Sequence, residues 1–151
     1  MIILSKLADY AVIIATHLAI GTERQMTAAT LAQEARLPRA TVAKVLKALA
    51  HAGIVTGARG AAGGYRLARP ASAIPISELV EAIDGAIGIT QCTSHIPGCE
   101  RSTFCPTRPH WHRINQAVGT ALSAVTLADM VPPFADFALQ QPAAAQETVT
   151  P

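Results

Sequence analysis

The stretch "TAATLAQEARLPRATVAKVLKALAHAGIVTGARGAAGGYRLAR", Thr27 to Arg69, decides how this chain folds. Thr27 is suited to cap a short helix, "AATLAQEAR", and "LPR" ends it, because Pro38 disfavours helix at Leu37 and suits the opening of the next one. That next helix runs from about Ala40 to His51 and is closed by Gly53. Val42, Val45, Leu46 and Leu49 fall on one face, whereas Thr41, Lys44, Lys47 and His51 fall on the other. Two short helices across a tight turn, the second with a basic outer face, predict a helix-turn-helix.

The rest of the stretch predicts a hairpin. Ile54 to Thr56 and Tyr65 to Leu67 are strand-like, and Gly57, Gly60, Gly63 and Gly64 between them permit a thin, basic tip. A glycine-rich loop can also cradle a nucleotide phosphate, but neither a Walker lysine pattern nor a dinucleotide fingerprint opening a helix is present. A helix-turn-helix followed by a hairpin is a winged helix, so the expected fold class is mainly α with a small β wing.

Upstream, Ser5 can cap a first helix whose Leu7, Tyr10, Ala11, Ile14 and Leu18 share one apolar face up to Gly21. Downstream, "PISELVEAIDG" predicts a further short helix capped by Ser77, with Leu79, Val80 and Ile83 apolar and Gly85 as its stop. Trp111, Ile114, Val118, Ala121, Val125 and Ala128 then recur at spacings of three and four, a heptad-like seam that could pack on its own domain or pair with a second copy of the chain; its distance along the chain from the winged unit favours pairing. The expected organisation is a winged helix-turn-helix over 1–70, a connecting helix over 71–90, a cysteine loop over 91–108, a dimerisation helix over 109–130 and a disordered tail over 131–151. The Pro-, Ala- and Gln-rich tail has little to bury.

Charge supports a polyanion partner. Residues 1–70 carry nine basic against three acidic side chains, a net of +6, while residues 71–151 carry three against seven, a net of −4. Neutralising phosphates releases counterions, so a basic half of this kind suits DNA. The candidate DNA contacts are Lys6, Arg39, Thr41, Lys44, Lys47 and Arg59. Arg39, Thr41 and Lys44 open the third helix, which can lie in the major groove; Lys47 and His51 lie farther along, better placed for backbone phosphate. Arg59 at the wing tip has the reach and charge for the minor groove.

All three cysteines lie in "QCTSHIPGCERSTFCPTRPHWH", Gln91 to His112. The first twenty residues carry Lys6, Asp9 and His17 with no small-residue cleavage site after them, and no apolar run approaches the ~20 residues of a membrane span. A cytoplasmic setting is therefore expected, where clustered cysteines bind metal or do redox chemistry more often than they form structural bridges. Cys92, Cys99 and Cys105 could converge on iron or zinc, and Arg101 and Arg108 would favour their ionised form. His95, His110 and His112 are nearby imidazole donors. Paired carboxylates, a nucleophile elbow and a nucleotide loop are all missing, which argues against an enzyme or an iron-sulfur carrier.

The opening "LSKLADYAV", the wing "GARGAAGGYRLAR" and the cysteine trio together resemble the Rrf2 family of bacterial transcription regulators over roughly residues 2–130, with "TVAKVLKALAHAGIV" and "CPTRPHWHRIN" most similar to its SUF-regulator branch. The resemblance implies a homodimeric winged-helix regulator that binds a palindromic operator and holds an iron-sulfur cluster, 2Fe-2S or 4Fe-4S, near the long helix. It further implies control of cluster-assembly genes, with cluster-assembly proteins as possible partners. In the IscR branch a histidine follows the third cysteine at the third position, but here that position is Arg108, which cannot coordinate a metal. In the NsrR branch an aspartate of the partner subunit is a ligand, and it corresponds to Asp9. The implied ligand set is thus Cys92, Cys99, Cys105 and Asp9 of the opposite chain, with His110, His112 and His95 as alternatives. A zinc site or a reversible thiol switch on the same winged helix is the competing expectation.

Overall fold

A computed structural model describes residues 3–21, 25–60, 63–94 and 99–132. Its elements are α1 (Lys6–Ile20), α2 (Ala28–Glu34), α3 (Arg39–His51), β1 (Val55–Ala58), β2 (Gly64–Leu67), α4 (Ile76–Asp84) and α5 (Arg108–Ala124). Short 3-10 turns at Ala71–Ala73 and Leu127–Met130 complete the described chain.

The expected caps explain where the first helices start. Ser5 Oγ accepts the Ala8 amide at 3.0 Å and donates to Asp84 Oδ1 at 2.6 Å, so the cap of α1 also ties it to the end of α4. Thr27 Oγ1 accepts the Thr30 amide at 3.1 Å to open α2. Each such cap is worth about 1 kcal/mol. Val42, Val45, Leu46 and Leu49 of α3 are fully buried against Ile14 and Leu18 of α1 and Leu31 of α2, in the apolar pattern read from the sequence.

Helices α2 and α3 end alike. The Gly53 amide donates to Ala50 O at 3.1 Å and the Ile54 amide to Leu49 O at 2.9 Å; likewise the Arg36 amide donates to Gln33 O at 3.2 Å and the Leu37 amide to Ala32 O at 3.0 Å. This turn needs a left-handed residue, supplied by Gly53 at φ 71° after α3 and by Arg36 at φ 53° after α2. A side chain there crowds the next carbonyl at a cost of roughly 1–2 kcal/mol.

The wing pairs antiparallel from Val55↔Leu67 to Ala58↔Gly64. It is anchored at its base, because Met26 and Tyr65 exchange both backbone hydrogen bonds, at 2.9 and 2.8 Å. Gly64 makes that approach possible, since a Cβ there would lie 2.9 Å from the Met26 backbone.

Two expectations about the second half are corrected. Helix α4 starts at Ile76 after Pro75, and Ser77 does not cap it; Ser77 is buried and its Oγ accepts from Ser123 Oγ of α5 at 2.9 Å. The helix expected over 109–130 stops at Ala124, leaving Val125 and Ala128 outside the seam. Val125 is extended, and the chain doubles back: the Ile76 amide donates to Val125 O at 2.9 Å and the Leu127 amide to Ile74 O at 2.8 Å. Thr126 donates through its amide and hydroxyl to Asp129, capping the 3-10 turn, and Leu127 is driven fully into the core. Burying Leu127 competes with continuing the helix, and the burial wins. Within the connecting segment 71–90, a 3-10 turn precedes α4, which lies inside the expected "PISELVEAIDG" and stops at Gly85 as read from the sequence. Apart from Val131 and Pro132, the expected tail lies outside the described residues. No helix among the described residues is long and apolar enough to cross a membrane.

Candidate nucleic-acid interface and cysteine loop

Helix α3 buries its apolar face and turns the other outward. Arg39, Lys44, Lys47 and His51 are exposed and Thr41 is half-exposed. Its N-cap is Pro38, which offers no side-chain acceptor, so the first-turn amides of α3 are left for an outside acceptor. Among the described residues, the side chains of Lys6, Arg39, Lys44, Lys47 and Arg59 enter no ion pair. Arg69 behaves differently. It is paired with Glu78, whose hydrogen bond raises the guanidinium pKa and ties the base of the wing to α4. Arg59 is exposed and follows β1 directly, so it stands at the far end of the hairpin from the Met26–Tyr65 anchor.

The cysteine segment hangs from α5 by one side chain. Asn115 Nδ2 donates to Ile87 O at 2.9 Å, and Asn115 Oδ1 accepts the Ile89 amide at 3.1 Å. Beyond this clasp, the Thr93 and Ser94 amides both donate to Thr90 O, at 3.0 and 2.9 Å, closing a turn around Cys92. The turn packs onto Gly88 so closely that a Cβ there would lie 2.5 Å from Ser94 Cα. Cys92 Sγ lies 3.2 Å from Thr90 Oγ1. Farther on, the Ser102 amide donates to Cys99 O at 3.0 Å, and Arg108 Nη1 donates to Ser102 O at 3.0 Å. Arg108 is thus a strut that holds the loop against the start of α5. Cys105 Sγ lies 3.3 Å from Thr107 Oγ1; that side-chain hydrogen bond, helped by the Thr107 backbone and less by Arg101, pulls its thiol pKa down.

All three cysteines are free and half-buried. His110 and His112 are exposed in the first turns of α5, Asp9 is exposed in the first turn of α1, and His95 lies outside the described residues. Among the described residues no three His, Cys, Asp or Glu side chains are gathered to hold a metal. The donors fit a thiolate-ligated centre in chemistry, three free thiols within one loop with the ionised form favoured at Cys105, although the described residues of one chain do not draw them together. Sequence reading passed over Asn115, because an asparagine on a helix carries no signal that it will clamp a loop 26 residues away.

Helix α5 has no buried residue. Trp111 and Ile114 are exposed, as are Phe104 just before the helix and Val125 just after it.

The family model for Rrf2, described as an iron-dependent transcriptional regulator, matches residues 4–133. The chain belongs to the Rrf2 family. It is 32% identical over 111 residues to the protein rrf2 of Nitratidesulfovibrio vulgaris, covering 74% of each chain. It is 33% identical over 79 residues to the HTH-type transcriptional regulator IscR of Yersinia pseudotuberculosis, a match that takes in 52% of this chain and 48% of IscR. Among solved structures it resembles the global cysteine regulator CymR of B. subtilis, with a TM-score of 0.68 and 27% identity over 86% of this chain and 96% of that one. The IscR of T. potens shares the fold, with a TM-score of 0.68 at 23% identity over 95% and 94% of the two chains. As an Rrf2 member the chain is a winged-helix, DNA-binding transcription regulator and not an enzyme.

Proposed function

We propose that this Rrf2 regulator senses iron-sulfur or redox status through its cysteine loop and, as a homodimer joined along α5, transmits that status to a palindromic operator. The observation that carries the reading is the Asn115 clasp, which links the turn around Cys92 to a helix that packs on its own core through Leu122 and has no fully buried residue, leaving Trp111 and Ile114 exposed. A change of shape in the loop then acts on the seam of the dimer, and through the seam on the spacing of the two α3 helices. Arg39, Thr41 and Lys44 meet base edges and phosphates, Lys47 meets phosphate, Lys6 adds a backbone contact, and Arg59 enters the minor groove.

Cys92, Cys99 and Cys105 would hold the cluster, with Asp9 of the opposite chain as fourth ligand, or His110, His112 or His95 in its place. When bound, an iron-sulfur cluster supplies a centre that oxygen or redox change can remove or alter. The resemblance of the wing and the cysteine loop to the SUF-regulator branch supports genes of cluster assembly as the target, and a reducing cytoplasm is the setting that suits three free thiols.

The test is anaerobic isolation followed by visible absorption, sulfide analysis and titration of a duplex selected by the protein from a randomised pool. Charge-transfer absorption, sulfide and a change in affinity between filled and stripped protein are expected; equal affinity in both forms would defeat the reading. Cys99→Ala should bleach the centre and leave the dimer folded. A Trp111→Glu, Ile114→Glu double variant should sediment as a monomer.

A second reading keeps the DNA binding but replaces the cluster with zinc or a reversible thiol switch. Its thiol-switch form is favoured by the lowered thiol pKa of Cys105, which keeps that sulfur in its reactive, ionised form to lower pH. Colourless, sulfide-free anaerobic protein whose affinity responds to a mild thiol oxidant would select it.

A further inference from the structure

Arg36 has no part in the site described so far, yet it occupies the most demanding backbone position outside the glycines. It is the sole non-glycine residue with positive φ among the described residues, and it stands in the same helix-ending turn that α3 closes with Gly53. Arg36 is exposed, and among the described residues its guanidinium enters no ion pair or hydrogen bond. The nearby acid, Glu34, faces His17 instead, at 3.6 Å. Backbone strain at an exposed cation that has no specific polar partner within the described residues points to a use outside the molecule.

The location names that use. Arg36 precedes by three residues the first turn of α3, where Arg39 is also unpaired and Pro38 leaves the amides uncapped. The turn thus places a basic residue three positions ahead of a helix end already suited to an anion. Arg36 lies ahead of α3 and not on its outer face, which suits the sugar-phosphate backbone flanking the groove better than base edges.

We propose that Arg36 contacts a backbone phosphate of duplex DNA and fixes the depth at which α3 enters the major groove. This rests on the reading that α3 lies in that groove. Gly would relieve the turn but lose the contact, so stability and binding should move apart on substitution.

The test compares wild type with Arg36→Gly, Arg36→Asn and Arg36→Lys, using the duplex selected by wild-type protein, a scrambled duplex and a salt series. Arg36→Gly is expected to melt at or above the wild-type temperature. It should also bind both duplexes several-fold more weakly and flatten the plot of log affinity against log salt by about 0.9 for each bound chain. Arg36→Lys should keep the wild-type slope. Arg36→Asn, neutral and tolerant of left-handed backbone, should behave as the glycine variant does and carries the test if glycine lowers stability. Unchanged affinity in both neutral variants overturns the proposal, and so does weaker binding with an unchanged salt slope. If wild-type protein enriches no duplex at all, the placement of α3 in the groove fails and this contact fails with it; normal enrichment with indifferent variants removes Arg36 alone.

Discussion

Asn115 grips the backbone on both sides of Gly88, donating to the Ile87 carbonyl at 2.9 Å and accepting the Ile89 amide at 3.1 Å. One side chain of α5 thereby sets where the cysteine segment begins. Asn115→Ala should raise amide hydrogen exchange across 87–94 by an order of magnitude or more and speed alkylation of Cys92, with little change in exchange through α3. Exchange unchanged in 87–94 would show that the clasp is not what holds the segment.

Leu127 is fully buried although it follows the last turn of α5. Leu127→Ala should lower unfolding stability by about 2–5 kcal/mol, as truncation in a packed core does. Chemical denaturation measures this, and a loss below 1 kcal/mol would mean that the return of the chain after α5 is not part of the core.

Gly53 closes α3 at φ 71°, and a Cβ there would meet nothing within 4 Å. The penalty for Gly53→Ala is therefore backbone strain alone, about 1 kcal/mol. Its midpoint in urea should fall accordingly; a midpoint equal to wild type would show that the turn relaxes.

Cys105 has its thiol pKa drawn down, first by the Thr107 hydroxyl. A group with a lowered pKa keeps its ionised form to lower pH, so Cys105 in metal-free protein should go on reacting with iodoacetamide at a pH where an ordinary thiol has slowed. Thr107→Val should shift that rate profile toward higher pH. Identical profiles for the two proteins would remove the hydroxyl as the cause.

Arg59 is exposed at the wing end remote from the Met26–Tyr65 anchor. Arg59→Ala should weaken binding to the selected duplex about tenfold without altering cysteine alkylation. Fluorescence anisotropy measures the first effect, and unchanged affinity would take the wing out of the interface.

The winged helix was legible in residues 27–69 because its signals are local. Caps at Ser5 and Thr27, the apolar face of Val42, Val45, Leu46 and Leu49, and Gly53 as a stop all act within a turn or two of themselves. The family resemblance followed from the same wing together with the cysteine trio. Ser77 was misread because a serine near the start of an apolar helical pattern looks like a cap, whereas Pro75 takes the cap position and only the approach of Ser123 on α5 gives Ser77 its partner. The end of α5 was misread for a similar reason. Periodicity continues through Val125 and Ala128, whereas the chain breaks at Ala124 because Leu127 gains more by burial beneath residues 74–76 than by another turn of helix. The same holds for Asn115 and the cysteine segment, and for the left-handed turn that holds Arg36 ahead of α3. Sequence settles what each residue can do over a few neighbours; which distant backbone reaches it is decided only when the core closes.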